Sequence, residues 1–194
     1  MPHQKFLDYL SRYISLSPEE EKVVLSKLQF RKYLKGQYLV QQGDICKSVC
    51  FVLKGATKSF YIDKSGQEHI IMFSIEDWWT GDIGSFFSQS PADYNVQCLE
   101  DTELIQLSFE FMEELCDELH MMERFFRLLM QKALVSAQKR IVEMSSLTAK
   151  ERFLEFRKSY PKMEQRIPQY MIASYIGISK EFLSKIKSQL AQES

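Results

Sequence analysis

The chain has 194 residues, 45% of them hydrophobic, and a formal charge of −1, which is apolar material for a sizeable core and too much for a disordered segment. No run of roughly eighteen apolar residues occurs, and residues 1–14 lack the basic-then-apolar order of a secretory leader, so a membrane span is not expected and the cytoplasm is the predicted compartment. The near-zero total hides an asymmetry that suits a polyanionic partner at one end only: residues 1–120 hold 11 Lys+Arg against 19 Asp+Glu, residues 121–194 hold 14 against 7.

Phe6, Leu7, Leu10, Tyr13 and Ile14 recur at helical spacing and predict an opening helix. Ser17-Pro18-Glu19-Glu20 then supplies an N-cap, a proline at the first helical position and a capping-box glutamate, predicting a second helix that runs to about Leu28. From Phe30 to Ser108 the pattern changes to short β-rich runs at Tyr38–Val40, Val49–Leu53, Thr57–Ile62, His69–Phe73 and Leu104–Leu107. Glycines at 36, 43, 55 and 66 punctuate them, as a rolled sheet or barrel requires.

After Phe109 the chain reads as helical, with a proline- and glycine-free stretch over Met121–Met144. It carries two apolar stripes. One holds Met122, Phe126, Leu129, Ala133, Ala137, Ile141 and Met144 and the other Phe125, Leu128, Val135 and Val142; one stripe is predicted to pack on the β-domain and the other to form a two-fold dimer seam.

Cys46, Cys50, Cys98 and Cys116 scatter among apolar neighbours, the pattern of reduced, buried thiols. His3, His69 and His120 lie far apart. No metal, haem or iron-sulfur ligand set, no cofactor and no catalytic group is predicted, and a β-barrel metalloenzyme would need more than the single His69 in its strands.

The most informative stretch is Gln169–Ser188, QYMIASYIGISKEFLSKIKS. Two helices crossing at a tight turn need a small contact residue, a glycine at the turn and inward apolar residues. Ala173, Gly177, and the set Ile172, Ile176, Ile178, Leu183 and Ile186 meet those needs, with Pro168 starting the first helix and Ser179 capping the second. In that register Ser179, Lys180, Glu181, Ser184 and Lys185 face outward, where they can reach base edges or phosphates of double-stranded DNA.

With these residues in view, the whole chain resembles the cyclic-AMP receptor protein family, the Crp/Fnr type of regulator. YLKGQYLVQQGD, VCFVLKGATKSFYI and DKSGQEHIIMF look like the strands of its sensor roll, LEDTELIQLSFEFMEEL like the last strand and following helix, and IASYIGISKEFLSKIK like its recognition motif. The resemblance implies an α+β chain: a double-stranded, jelly-roll-like β-roll sensor with flanking helices over residues 1–117, a dimerisation helix over 118–146, and an all-α helix-turn-helix domain over 147–194. It further implies a homodimer on a near-palindromic operator, with RNA polymerase and a small-molecule effector as candidate partners. A signalling adaptor that has kept the fold and lost DNA binding is the alternative.

Two features depart from the family pattern. In cyclic-nucleotide-binding members a glycine-acid pair holds the ribose, and a later proline-arginine-small segment holds the phosphate. Gly81, Asp82, Ile83 and Gly84 resemble the first part, but Ala92 and Asp93 stand where the arginine and its polar neighbour belong, so the effector is not expected to be cyclic AMP. Trp78 and Trp79, just before this cassette, are candidates for an apolar pocket or for core packing. Only four residues follow Leu190, so the family's β-hairpin wing is not expected, and Lys139, Arg140, Lys150, Arg152, Arg157, Lys158, Lys162 and Arg166 are candidates for compensating phosphate contacts.

Overall fold

The computed structural model describes residues 2–192, and its chain divides into two units, Met1–Gln131 and Lys132–Ser194. The first unit opens with α1 (Pro2–Leu10) and α2 (Pro18–Ser26). In α2 the expected capping box forms, Ser17 accepting from the Glu20 N–H and Glu20 from the Ser17 N–H, but the helix stops at Ser26, short of Leu28. Eight strands follow: β1 (Gln29–Tyr33), β2 (Tyr38–Val40), β3 (Ser48–Lys54), β4 (Thr57–Ile62), β5 (Glu68–Ser74), β6 (Trp79–Thr80), β7 (Asn95–Cys98) and β8 (Thr102–Ser108). They make two antiparallel four-stranded sheets in the orders β1-β8-β3-β6 and β2-β7-β4-β5. Between β6 and β7 sits α3 (Ile83–Ser88), and α4 (Phe109–Glu118) and the start of α5 (His120–Ser146) close the unit.

β1, β6, β7 and α3 are elements that the hydrophobic pattern did not predict. β1 is the edge strand QFRKY, charged and largely exposed, and β6 has two residues, so neither shows a hydrophobic period.

β3 is buried on both faces, which explains its nearly unbroken apolar run. Val49, Phe51 and Leu53 join Phe6, Tyr9 and Leu10 of α1 in one core, while Cys50 and Val52 pack with Leu104 of β8. Phe51 lies 5.2 Å from the Phe6 ring and 4.6 Å from Tyr9. Trp79 belongs to the same group, 5.9 Å from Phe6 and 5.7 Å from Phe51, so it is a core residue. Each such ring contributes roughly 1.5–3 kcal/mol by leaving water.

The start of α5 corrects the division of the two stripes between two roles: Phe125 of one stripe is fully buried in this core, 6.1 Å from Tyr9 and 5.6 Å from Tyr13, beside buried Met122 and Phe126 of the other. Consecutive phenylalanines both fit because the helix start is enclosed by α1 and the sheet rather than lying on one surface.

The cysteines are free thiols, with Cys46, Cys50 and Cys98 buried. Burial pushes the Cys50 thiol up to about 12 and Cys116 to about 11, which keeps both protonated and unreactive near neutrality. Among the described residues, no group of three or more His, Cys, Asp or Glu is placed to hold a metal, and no helix is long and apolar enough to cross a membrane.

The second unit holds the rest of α5, then α6 (Ala149–Ser159), α7 (Met163–Arg166), α8 (Gln169–Ile176) and α9 (Lys180–Gln192). α6 starts on a capping box of Thr148 and Glu151. Its buried Phe153 and Phe156 share the unit with buried Met163, Ile167, Met171, Ile172, Ile176, Leu183 and Ile186.

Candidate functional site

The turn between α8 and α9 is built by its own backbone. Gly177 has φ +73, its N–H donates to the Ser174 carbonyl at 3.1 Å, and the Ile178 N–H donates to the Ala173 carbonyl at 3.0 Å. This Schellman closure turns the chain through a left-handed residue, which glycine adopts at little cost. Ala173 is 1% exposed, and no larger side chain fits that contact without displacing its neighbours. Ser179 Oγ accepts from the Phe182 N–H at 3.2 Å and caps α9. Leu183 and Ile186 are buried, so the rotation of α9 about its axis is set.

With that rotation Ser179, Lys180, Glu181, Ser184 and Lys185 are all exposed, gathered on the first turns of α9. Glu181 accepts from its own backbone N–H and from the Ser179 hydroxyl, which hold its carboxyl below the usual range and keep it an ionised acceptor at neutral pH. The face therefore combines an acceptor, two cations and two hydroxyls, a set that can discriminate bases and hold phosphate.

Several of the basic residues named as candidates for phosphate contacts have partners within the second unit. Arg152 donates through Nε to the Ile176 carbonyl at 2.9 Å and through Nη1 to the Leu147 carbonyl at 2.8 Å, satisfying acceptors that helix ends leave open. Arg140 stacks 4.1 Å over the Tyr175 ring and donates to the Tyr175 carbonyl at 3.2 Å. Arg157 and Lys187 each sit 2.9 Å from Glu164. Their roles were invisible in sequence because their partners are backbone carbonyls or lie in other helices.

The exposed length of α5 carries a feature that the two expected stripes did not contain. Leu134, Val135, Ile141 and Val142 are 61%, 64%, 67% and 62% exposed. Met130, Leu134, Ala137, Ile141 and Met144 alternate by four and three, the period of a coiled-coil seam, and Leu134 belonged to neither expected stripe.

In the cassette after β6, Asp82 is 2% exposed. Its Oδ1 accepts from the Ser85 N–H at 3.0 Å, capping α3, and its Oδ2 accepts from the Asp93 N–H at 2.9 Å. Gly81 is buried and its carbonyl accepts from the Tyr94 hydroxyl at 3.1 Å, Ile83 is half-buried, and Gly84 is exposed. Ala92 is buried, its N–H on the Asp44 carbonyl at 2.8 Å and its C=O taken by the Gly43 N–H at 2.9 Å, while Asp93 is exposed. The six residues are thus brought together, but Asp82 ties the two halves to each other, and the residue at 92 offers no cation. Asp82→Ala is expected to lower stability by about 2 kcal/mol, from the lost cap and the unmet Asp93 N–H, measured as a lower urea midpoint. A midpoint equal to the parent's would show that neither bond contributes.

The cyclic nucleotide-binding domain family matches residues 30–118. The transcriptional activator protein anr of Pseudomonas aeruginosa is 28% identical over 173 residues, covering 84% of this chain and 70% of that protein. FnrA of Stutzerimonas stutzeri, also a transcriptional activator, is 27% identical over the same shares. Among solved structures, the catabolite activator protein of Thermus thermophilus matches at 25% identity and a TM-score of 0.58 over 92% of this chain and 85% of that one. These relatives are transcription regulators of the Crp/Fnr type, and the chain is similar to them over most of its length. FixK2 from Bradyrhizobium japonicum shares the same fold, with a TM-score of 0.76 at 17% identity over 86% of this chain and 85% of its own. The two antiparallel sheets followed by a long helix and a helical C-terminal unit are the expected α+β architecture.

Proposed function

We propose that this chain is a Crp/Fnr-type transcription regulator that works in the cytoplasm as a homodimer, joined through α5, whose two α9 helices read a near-palindromic operator in duplex DNA. The observation that carries the reading is the exposed Ser179, Lys180, Glu181, Ser184 and Lys185 face on a helix anchored by Gly177 and Ala173. A two-fold dimer presents two such helices, and half-sites about 34 Å apart, one DNA turn, match them. RNA polymerase is the partner through which the bound dimer acts, and the β-roll sensor carries the response to a small-molecule effector. The regions follow as sensor 1–117, dimer helix 118–146 and DNA-binding domain 147–194.

Selection of an operator from random DNA, followed by titration of variants, tests the reading. Glu181→Ala is expected to relax preference at one base position by about 1–3 kcal/mol, whereas Lys180→Ala or Lys185→Ala, where the lysine holds phosphate, weakens all sequences alike and lowers the salt slope by about one. Unchanged affinity and preference in the triple alanine variant would remove the helix-turn-helix from the mechanism and leave the adaptor in its place.

The effector is a molecule other than cyclic AMP. Both oxygens of Asp82 already accept from backbone donors, so a ribose hydroxyl would have to share them, and a phosphate at Ala92 would be enclosed without a cation at a cost of about 3–5 kcal/mol. Calorimetry at millimolar cyclic AMP is expected to show no heat of binding. Saturable binding at micromolar nucleotide would mean that the cassette rearranges or that a cation from elsewhere reaches it.

A further inference from the structure

α9 carries one large apolar side chain that stays largely in water. Phe182 is 48% exposed, and its place on the first turn is anchored by its N–H on Ser179 Oγ at 3.2 Å. It cannot rotate inward, because Leu183 and Ile186 occupy the buried side of the same helix at 0% and 3% exposure. On an α-helix residues three and four apart are neighbours, so Lys185 lies between Glu181, four residues before it, and Phe182, three before it. The phenyl ring therefore borders the face assigned to base reading.

The polar members of that face can address donors and acceptors on base edges, but none of them recognises a methyl group. In the major groove the C5 methyl of thymine is the apolar mark that distinguishes one base pair from another, and a phenyl ring is a side chain that packs on it. Lys180 and Lys185 beside the ring make the surface cationic, in a segment with 14 basic against 7 acidic residues, which favours DNA over an apolar protein surface as the occupant. We propose that Phe182 is a specificity residue whose ring packs on the C5 methyl of one thymine in each operator half-site. The proposal rests on the DNA-binding reading of α9 and adds a base that its polar residues do not assign.

The test uses the full chain and its selected operator, with each thymine replaced in turn by uracil, which removes the methyl and leaves every hydrogen-bonding group. The parent protein is expected to lose about fourfold in affinity at one position per half-site, the worth of one buried methyl group. Phe182→Ala should lose about as much on the thymine operator and show no further loss with uracil at that position. Phe182→Leu, an apolar replacement, should retain part of the sensitivity and serves as the folding control beside a thermal melt. A parent protein indifferent to uracil at every position overturns the proposal, as does an alanine variant that keeps the parent's affinity and uracil profile, the result expected if the ring covers a protein partner. Failure of the parent to bind any selected DNA is a separate outcome, seen before any variant is made; it removes the DNA-binding reading and this proposal with it.

Discussion

Leu134→Glu combined with Ile141→Glu is expected to convert the protein from a dimer to a monomer and to lower operator affinity by at least about 100-fold. The two side chains are 61% and 67% exposed and seven residues apart, so they occupy equivalent positions one heptad apart on α5. In a two-fold seam each appears twice, and four side chains leaving water contribute about 6–12 kcal/mol of gross hydrophobic stabilisation, before the costs of association are subtracted. Replacing them by carboxylates removes that gain and places like charges opposite one another. The loss of operator affinity follows because one helix can engage only one half-site at a time, and the second half-site's contribution disappears. Sedimentation should report the 22.9 kDa of one chain where the parent reports about twice that mass, and anisotropy titration should report the affinity. Because both positions are exposed, the far-UV spectrum should be unchanged. Leu129 is a poorer probe: it packs against the core of the first unit, so a charge there mixes folding with assembly. A double variant that sediments as a dimer and binds its operator normally would remove α5 from the interface.

Gly55→Ala is expected to cost about 3–5 kcal/mol, a large part of the roughly 5–15 kcal/mol that holds a domain of this size together. Gly55 joins β3 to β4 at φ +107, outside the range of side-chain-bearing residues, and its N–H donates to Glu76 Oε1 at 2.9 Å. A Cβ there would lie 2.6 Å from Thr102 Oγ1 and 2.8 Å from Thr102 Cα. The backbone atom decides the outcome, because Thr102 opens β8 and pairs with Tyr33 of β1, so it cannot yield without shifting the first sheet. Gly36 and Gly43 provide the comparison. They have φ of +85 and +93, and a Cβ at either would meet nothing within 4 Å, so alanine there carries only the backbone cost of about 1–2 kcal/mol. Urea denaturation of the three variants should place Gly55→Ala well below the other two. A Gly55→Ala midpoint no lower than that of Gly36→Ala would contradict the close approach to Thr102.

The helix-turn-helix was legible because its signals are local. Ala173, Gly177 and Ser179 act within a few residues, through one turn closure and one cap, and the apolar period of α8 and α9 runs uninterrupted on either side. The five strand runs were legible for the same reason, each being a short apolar or β-branched segment, four of them between glycines and the fifth after Glu100-Asp101. What the linear order could not convey is which surfaces meet. Phe125 and Val135 look equivalent along α5, yet one is buried among Tyr9, Tyr13 and Trp79 and the other stands in water, a difference made by α1 more than a hundred residues earlier. Arg152 looks like a phosphate ligand until its guanidinium is seen on the Ile176 carbonyl, 24 residues away. Asp82 looks like a ribose ligand in the sequence, and only the structure shows that each of its oxygens also accepts from a backbone amide, of Ser85 and of Asp93. By itself the sequence determined the α+β architecture and the helix-turn-helix at its end, since caps, turns and hydrophobic periods depend on neighbours in the chain. Only the tertiary structure decided which α5 residues remain for a partner, which cations are committed to carbonyls and how the effector cassette is closed, because burial and hydrogen-bond pairing are set by residues distant in sequence and adjacent in space.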